Sequence, residues 1–425
     1  MGKLRSIYEG MLASGQAYAK WDLETSLNIL KSRKRLIILG LMTVPALLFA
    51  VAYAGDQLPA VLGGHKAYGP ANYDPTIFLI SILIGLCAGL ITGCIGAGGG
   101  FIITPALMSA GVKGILAVGT DLFHIFAKAI MGTVVHKKLG NVSVSLAVAF
   151  LVGSGVGVSG GGVVNRTLYE LNPLLSDTFI SVVYVILLGF LGIYSLLDFV
   201  KLSKSGVDVG GHGGPEPAKA AGSGKSLPER LQSSKIPPLI TFDEDLVPGG
   251  KKIPALYVAL CGALVGFLAA IMGVGGGFVT FPIFVYVLGV SSFTTVGTDI
   301  LQIIFTAGYA AIAQYAIYGF IFYTLAMGML LGSLFGIQVG ALTTKVVKGI
   351  YIRGFYATAV LAGFVNRLFA LPGQLSEMEI IHISPGTAHV IDVTGAVIFF
   401  VAVSAFGVWV FSKFLGSMKL LRGEA

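Results

Sequence analysis

The strongest constraint on this chain is a glycine-rich pattern that occurs twice. Gly96-Ala-Gly-Gly-Gly-Phe101, then Pro105, then Val118-Gly-Thr-Asp121, is answered by Gly273-Val-Gly-Gly-Gly-Phe278, then Pro282, then Val296-Gly-Thr-Asp299. The glycine and proline anchors recur at an offset of 177 residues and the Val-Gly-Thr-Asp anchors at 178, while Gly153, Gly157 and Gly161 recur as Gly332, Gly336 and Gly340 at 179. The order holds while the offset drifts, as expected of two diverged copies of one unit. Each glycine run also follows an apolar run, at residues 77–95 and 253–272. Glycine at this density breaks a helix, because it loses the most backbone entropy and packs nothing.

What a broken helix means depends on the solvent. Of 425 residues, 55% are hydrophobic and only 11% charged. Soluble domains carry about a quarter charged residues, so the chain reads as an all-α polytopic membrane protein. In lipid, a broken helix survives only where it is buried in protein or lines a cavity. Glycine-interrupted apolar segments in matching positions of two halves mark a transporter's binding site. Nucleotide binding fails on register: the third glycine of a dinucleotide fingerprint falls on Phe101, and Gly224-Lys225-Ser226 has Lys219 where a phosphate loop needs glycine. The net charge of +8 sits in tails and loops and gives no nucleic-acid signal. Cys87, Cys94 and Cys261 all lie in apolar segments and offer no disulfide framework. His212 reads as a lone linker histidine and Asp243-Glu244-Asp245 as a solvated acidic run, so neither a metal nor another cofactor is expected. No catalytic constellation stands out, and the chain does not read as an enzyme.

Taken in order, residues 1–35 form a cytoplasmic amphipathic segment ending in Lys31, Arg33, Lys34 and Arg35. Residues 36–54 make a first crossing, retained rather than cleaved as a signal. Residues 76–111 read as a re-entrant helical hairpin broken at the glycines, since its second arm is shorter than the roughly 20 residues a span needs. Crossings at 120–135, 141–164 and 177–198 complete a repeat, 76–198, within a first transmembrane half, 36–198. Residues 199–253 hold eight Lys/Arg against six Asp/Glu and read as a flexible cytoplasmic linker. The second half, 254–412, repeats the hairpin and three crossings at 298–317, 320–343 and 350–371, then adds a last crossing at 390–411. A cytoplasmic tail, 413–425, follows. Basic clusters fall on one side throughout, which places both termini in the cytoplasm of a cell inner membrane. Three crossings per repeat is odd, so the two repeats are expected to be inverted.

The candidate site follows from this plan. The first N–H groups of a helix have no partner within it, and a helix N-terminus carries about half a positive charge. Two hairpins entering from opposite faces would bring two such ends together, which suits a small anion. Gly98, Gly99, Gly100 and Phe101, with Gly275, Gly276, Gly277 and Phe278, are the expected backbone ligands, and Thr120 and Thr298 their neighbours. Asp121, His124 and Lys128 share one helical face at i, i+3 and i+7, answered by Asp299, Gln302 and Thr306 in the other half. Ionisable groups inside a membrane are costly and are functional candidates by default. Asp121, Asp299 and His124 are therefore proton-exchange candidates, with Lys128 countering the substrate's charge. Capping of a helix after the Gly-Thr turn is an equal reading of the two aspartates. Arg367, near the outer end of its helix, reads as a snorkelling cation or as a group that attracts anions, the former favoured. The glycine ladders read as close helix packing.

These hairpins, the Val-Gly-Thr-Asp motifs, and Gly132-x-x-x-His136 followed by Gly140-Asn141-Val142 resemble the sulfite exporter TauE/SafE family, also called the toluene sulfonate uptake permease family. The resemblance covers roughly residues 76–200 and 254–412. It implies a secondary transporter of a sulfur-containing anion, sulfite or an organosulfonate, coupled to protons, with the lipid bilayer as its setting and self-association left open. Cys94 reads as a small buried thiol rather than a contact to such a sulfur-containing substrate. A passive anion channel and a non-transporting subunit of a membrane complex are the alternatives.

The topology is directly testable. Single cysteines placed at Gly64, Gly222 and Gln374 in a cysteine-free background are expected to label with impermeant reagents from outside, inside and outside. Any other pattern breaks the hairpin reading.

Overall fold

The computed structural model describes residues 75–95, 99–139, 143–205, 227–243, 249–343, 346–347 and 349–417. The expected N-terminal amphipathic segment and first crossing lie outside the described residues. The first half comprises α1 (Pro75–Ile95), α2 (Gly100–Ser109), α3 (Gly114–Leu139), α4 (Val144–Leu171) and α5 (Pro173–Ser205). A short helix, α6 (Leu227–Gln232), and two strands, β1 (Leu239–Phe242) and β2 (Lys251–Pro254), precede the second half. That half comprises α7 (Ala255–Met272), α8 (Gly277–Pro282, continued as a π-helix over Ile283–Leu288), α9 (Ser292–Tyr309, continued as a π-helix over Ala310–Ala316), α10 (Tyr323–Thr343) and α11 (Gly349–Glu377). The final helix is α12 (Pro385–Gly416).

Among the described residues, seven helices (α1, α4, α5, α7, α10, α11 and α12) are long and apolar enough to cross a membrane. The chain is a multi-pass helical membrane protein, as its composition requires. The first arm of each hairpin is thus longer than a partial insertion: at 1.5 Å per residue, the 21 residues of α1 extend about 31 Å, the thickness of a hydrocarbon core. The second arm, α2, has 10 residues and is too short to span.

The halves exchange partners. Helix α1 packs along α10, and its counterpart α7 packs along α4; α3 meets α9 and α5 meets α11. Swapping the two halves maps this set of contacts onto itself. The α1–α10 and α4–α7 seams are where the glycine ladders lie. A Cβ on Gly157 would sit 2.8 Å from the Phe267 backbone nitrogen, and one on Gly336 would sit 2.7 Å from that of Leu90. The seams are therefore backbone against backbone, the arrangement small residues permit between membrane helices. Cys94 lies in one of them, buried, with its Sγ donating to the Gly340 carbonyl at 3.4 Å.

The stretch expected to be a flexible linker is in part folded. Helix α5 runs on to Ser205, and β1 and β2 pair antiparallel from Leu239 opposite Pro254 to Phe242 opposite Lys251. This cap is pinned to the end of the second hairpin. Gln232 Nε2 donates to the Leu288 carbonyl at 2.8 Å and Lys251 Nζ to that of Gly289 at 3.0 Å. Asp243, expected in a solvated acidic run, is instead buried. It accepts from Ser291 N at 3.0 Å and Ser291 Oγ at 2.7 Å and lies 3.5 Å from Lys251 Nζ. Paired polar groups and a burial site for Ile240 and Phe242 override the linker-like composition.

Helix seams without room for a side chain predict a sharp contrast. Gly157→Ala is expected to lower the thermal stability of the purified protein by about 1–3 kcal/mol through overpacking. Gly155→Ala, two residues away with nothing within 4 Å of its Cβ position, is expected to leave it within about 1 kcal/mol. Melting curves of the two variants check this.

Candidate functional site

The two hairpin tips meet in the middle of the structure. Gly99 and Gly276 precede α2 and α8 in the left-handed region, with φ of 63° and 89°, conformations that favour glycine. The Gly100 Cβ position lies 2.8 Å from Val274 Cα of the other tip, and that of Gly273 lies 2.7 Å from Thr104 Oγ1. Gly275 packs against Ile125, and the rings of Phe101 and Phe278 stand 5.7 Å apart. Gly99, Gly100, Phe101, Gly275, Gly276, Gly277 and Phe278 are thus gathered in one buried region. Gly98 lies outside the described residues.

Beside the tips run two polar tracks, one per half. In the first, Thr104 Oγ1 donates to Asp121 Oδ2 at 3.1 Å, and Asp121 Oδ1 lies 3.6 Å from His124 Nδ1. His124 Nε2 is hydrogen-bonded to Ser333 Oγ at 2.9 Å, and Lys128 Nζ donates to Thr92 Oγ1 at 3.4 Å. In the second, Gln302 Nε2 donates to Asp299 Oδ1 at 2.7 Å and to Thr280 Oγ1 at 3.4 Å. Thr306 donates to Gln302 Oε1 at 2.8 Å and shares a hydrogen bond of 2.8 Å with Ser154. Asp121, His124 and Lys128 match Asp299, Gln302 and Thr306 position for position, but the chemistry of the two tracks differs. Gln302 closes the second into a hydrogen-bonded chain. In the first, Asp121 Oδ1 and His124 Nδ1 are buried with no hydrogen-bond partner. A single proton carried on either group would let them bond after a small rotation.

Several sequence expectations change here. The Val-Gly-Thr-Asp motifs are not turns, and neither Asp121 nor Asp299 caps a helix. Helix α3 begins at Gly114 and α9 at Ser292, where Ser291 Oγ accepts from Thr294 N at 3.2 Å. Gly119 is tolerated within α3 because the chain of the other half passes close by: its Cβ position lies 2.5 Å from the Phe320 carbonyl and 3.0 Å from Tyr315 Cβ. Thr120 and Thr298, expected near substrate, each hold the start of a helix from the opposite half. Thr120 Oγ1 accepts from Phe322 N at 3.0 Å and Thr298 Oγ1 from Ser143 N at 3.0 Å. Arg367 does not snorkel. It is 2% exposed, and its Nη2 donates to Ser109 Oγ at 2.9 Å and to the Pro105 carbonyl at 3.5 Å, at the C-terminal end of α2.

Sequence reasoning also missed residues. Thr92, Thr104, Thr280, Ser154 and Ser333 supply the tracks' remaining groups. Ser154 and Ser333 each follow a ladder glycine, Gly153 and Gly332, at the same offset of 179, a signal the ladders themselves obscured. Arg166, also unflagged, donates from Nη1 to the Gln314 carbonyl at 2.8 Å and to its Oε1 at 2.7 Å, and lies 4.1 Å from the centre of the Tyr318 ring.

A helical membrane protein with two broken helices meeting between its halves, and a polar track beside each, is the class this geometry defines. The family model for the sulfite exporter TauE/SafE matches residues 81–367, and the chain belongs to that family. Among curated proteins, the probable membrane transporter protein YunE of Bacillus subtilis is 26% identical over 276 residues, 62% of this chain and 87% of that protein. YjnA of the same organism, likewise described as a probable membrane transporter protein, is 25% identical over 61% of this chain and 87% of its own length. A probable membrane transporter protein of Methanocaldococcus jannaschii is 25% identical over 48% of this chain and 59% of its own length. No solved structure matches the chain.

The bonds from Thr120 and Thr298 have a measurable consequence. Thr120→Val and Thr298→Val each leave a backbone N–H without its acceptor and are expected to cost about 1–3 kcal/mol of stability. Thermal unfolding of the two variants, and of the double variant, checks this.

Proposed function

We propose that this protein is a secondary transporter that moves a small sulfur-containing anion, sulfite or an organosulfonate, across the cytoplasmic membrane with proton coupling. The single observation that carries this reading is the meeting of the two glycine-led helix N-termini beside the buried Asp121–His124 pair. Amide groups at the start of α2 and α8 offer an oxyanion hydrogen bonds and partial positive charge, and glycine leaves no Cβ in the way. Lys128, in the same track, adds a full charge. In this reading His124 and Asp121 take up and release the coupled proton, and Asp299 fills the matching place in the second half. The exchange of partners between the halves supports inverted repeats about an axis in the membrane plane, so that the site faces either side by rocking of one half against the other. The basic residues of the loops support cytoplasmic termini. Membership of the TauE/SafE family and the transporter descriptions of the relatives support the substrate class and the transport role.

Radiolabelled sulfite flux into proteoliposomes tests the proposal. Saturable flux that a pH gradient drives to accumulation is expected. Flux that only equilibrates would mean a channel, and absent flux across a sulfite and sulfonate panel would mean a non-transporting subunit. Asp121→Asn is expected to retain exchange of labelled for unlabelled substrate and to lose pH-driven accumulation. Normal accumulation in both Asp121→Asn and Asp299→Asn would remove the aspartates from coupling. Glycine substitutions at the tips are a poor probe, because the left-handed φ of Gly99 and its Cβ position 2.7 Å from Thr92 Oγ1 mix strain with lost binding.

A further inference from the structure

A cavity of about 500 Å³ opens where α2 ends, between the α2–α3 turn, α5, α11 and the start of α12. Arg367 and Ser109 line it, with Gln374, Asp177, Glu377 and Asp392. The fold can fill such a space. Gly289, the counterpart of Gly111 in the second half, has Gln232 Nε2 2.6 Å and Pro228 Cβ 2.8 Å from its Cβ position, whereas Gly111 has nothing within 4 Å. Among the described residues, the chain closes one hollow with its own cap and leaves the other open.

The open hollow contains groups whose needs the protein does not meet. Arg367 is almost fully buried, yet the partners of its guanidinium are neutral: Asn366 Oδ1 at 2.8 Å from Nε, and Ser109 Oγ and the Pro105 carbonyl from Nη2. Among the described residues, no ion pair includes it. The carbonyl end of α2 offers it only a partial charge, and the carboxylates of Asp392 and Asp177 attract it across the cavity without closing an ion pair, which leaves a buried cation incompletely compensated. The same cavity also has unused acceptors. Gln374 Oε1 is buried with no hydrogen-bond partner. Asp177 commits one oxygen to Gly114 N at 2.7 Å. The nearby Lys113 turns its Nζ toward Tyr169, 3.5 Å from the hydroxyl and 5.7 Å from the ring centre. His389 completes the titratable lining.

An anion alone would satisfy Arg367 but meet three carboxylates. A cation alone would satisfy the acceptors but meet a buried guanidinium. We propose that this cavity binds a small zwitterion, with its oxyanion on Arg367 and Ser109 and its ammonium on Gln374 Oε1 and the carboxylates of Asp392 and Asp177. The site is separate from the hairpin tips and does not depend on which anion is transported. It touches the same helix, since Arg367 holds α2 at Pro105 and Ser109, just beyond Thr104.

Calorimetric titration of the full-length protein in detergent tests the proposal. The probes are glycine, β-alanine and γ-aminobutyrate, which differ in charge separation, with propionate and propylamine as single-charge controls. At least one amino acid is expected to bind at least about tenfold more tightly than either control, a difference of about 1.4 kcal/mol. Asp392→Asn, at a half-buried position whose carboxylate makes no hydrogen bond or ion pair among the described residues and acts on Arg367 only across the cavity, is expected to reduce that amino acid to the affinity of propionate. Arg367→Gln, if folded, is expected to abolish binding of both. Equal binding of propionate and the amino acids, an unchanged affinity in Asp392→Asn, or no saturable binding by any probe would overturn the proposal.

Discussion

Two helix seams with no room for a Cβ hold this protein together. Where α1 lies on α10 and α4 on α7, carbonyls and amides of one helix stand within contact distance of the other's glycine Cα atoms. Lipid supplies no hydrophobic drive for helices to associate, so close packing has to supply the attraction. The seams join helices from different halves, which fixes the halves to each other. They also place the other elements. The ends of α1 and α7 set where the two hairpin tips turn back. Ser333 and Ser154, each one residue past a seam glycine, are held against the polar tracks.

Within that frame the interior tolerates polar groups because nearly all are paired. Thr104, Thr280, Ser154 and Ser333 give each track its hydrogen-bond partners, and Thr120 and Thr298 hold helix starts across the interface between halves. An unpaired polar group in a dry interior costs several kcal/mol. The exceptions therefore carry weight. Asp121 Oδ1 and His124 Nδ1 are buried without hydrogen-bond partners in one half, where Gln302 closes the corresponding network in the other. The repeat is symmetric in shape and asymmetric in its hydrogen bonding.

Much of the architecture was legible in the sequence because glycine runs and apolar runs act locally. The repeat, the broken helices, the helical class and the packing role of the ladders all follow from spacing and composition. The local environment of particular side chains was harder to read. Val-Gly-Thr-Asp looked like a turn because Gly119 is a poor helix former, and only the passing backbone at Phe320 makes glycine necessary within a helix there. Arg367 looked like a snorkelling cation because its partners Ser109 and Pro105 lie more than 250 residues away in sequence. The linker looked flexible because its composition is polar, and the hydrogen bonds that fold its second part come from Leu288, Gly289 and Ser291 at the far end of the second hairpin.

The central claim is that backbone amides at both hairpin tips hold the transported anion. Amide hydrogen exchange followed by mass spectrometry, with and without sulfite, addresses it directly. The account predicts slower exchange at residues 99–103 and at residues 276–280 together when sulfite is present, with little change along α5 and α12. Sulfite-dependent protection confined to other segments, with both tips unchanged, would contradict it.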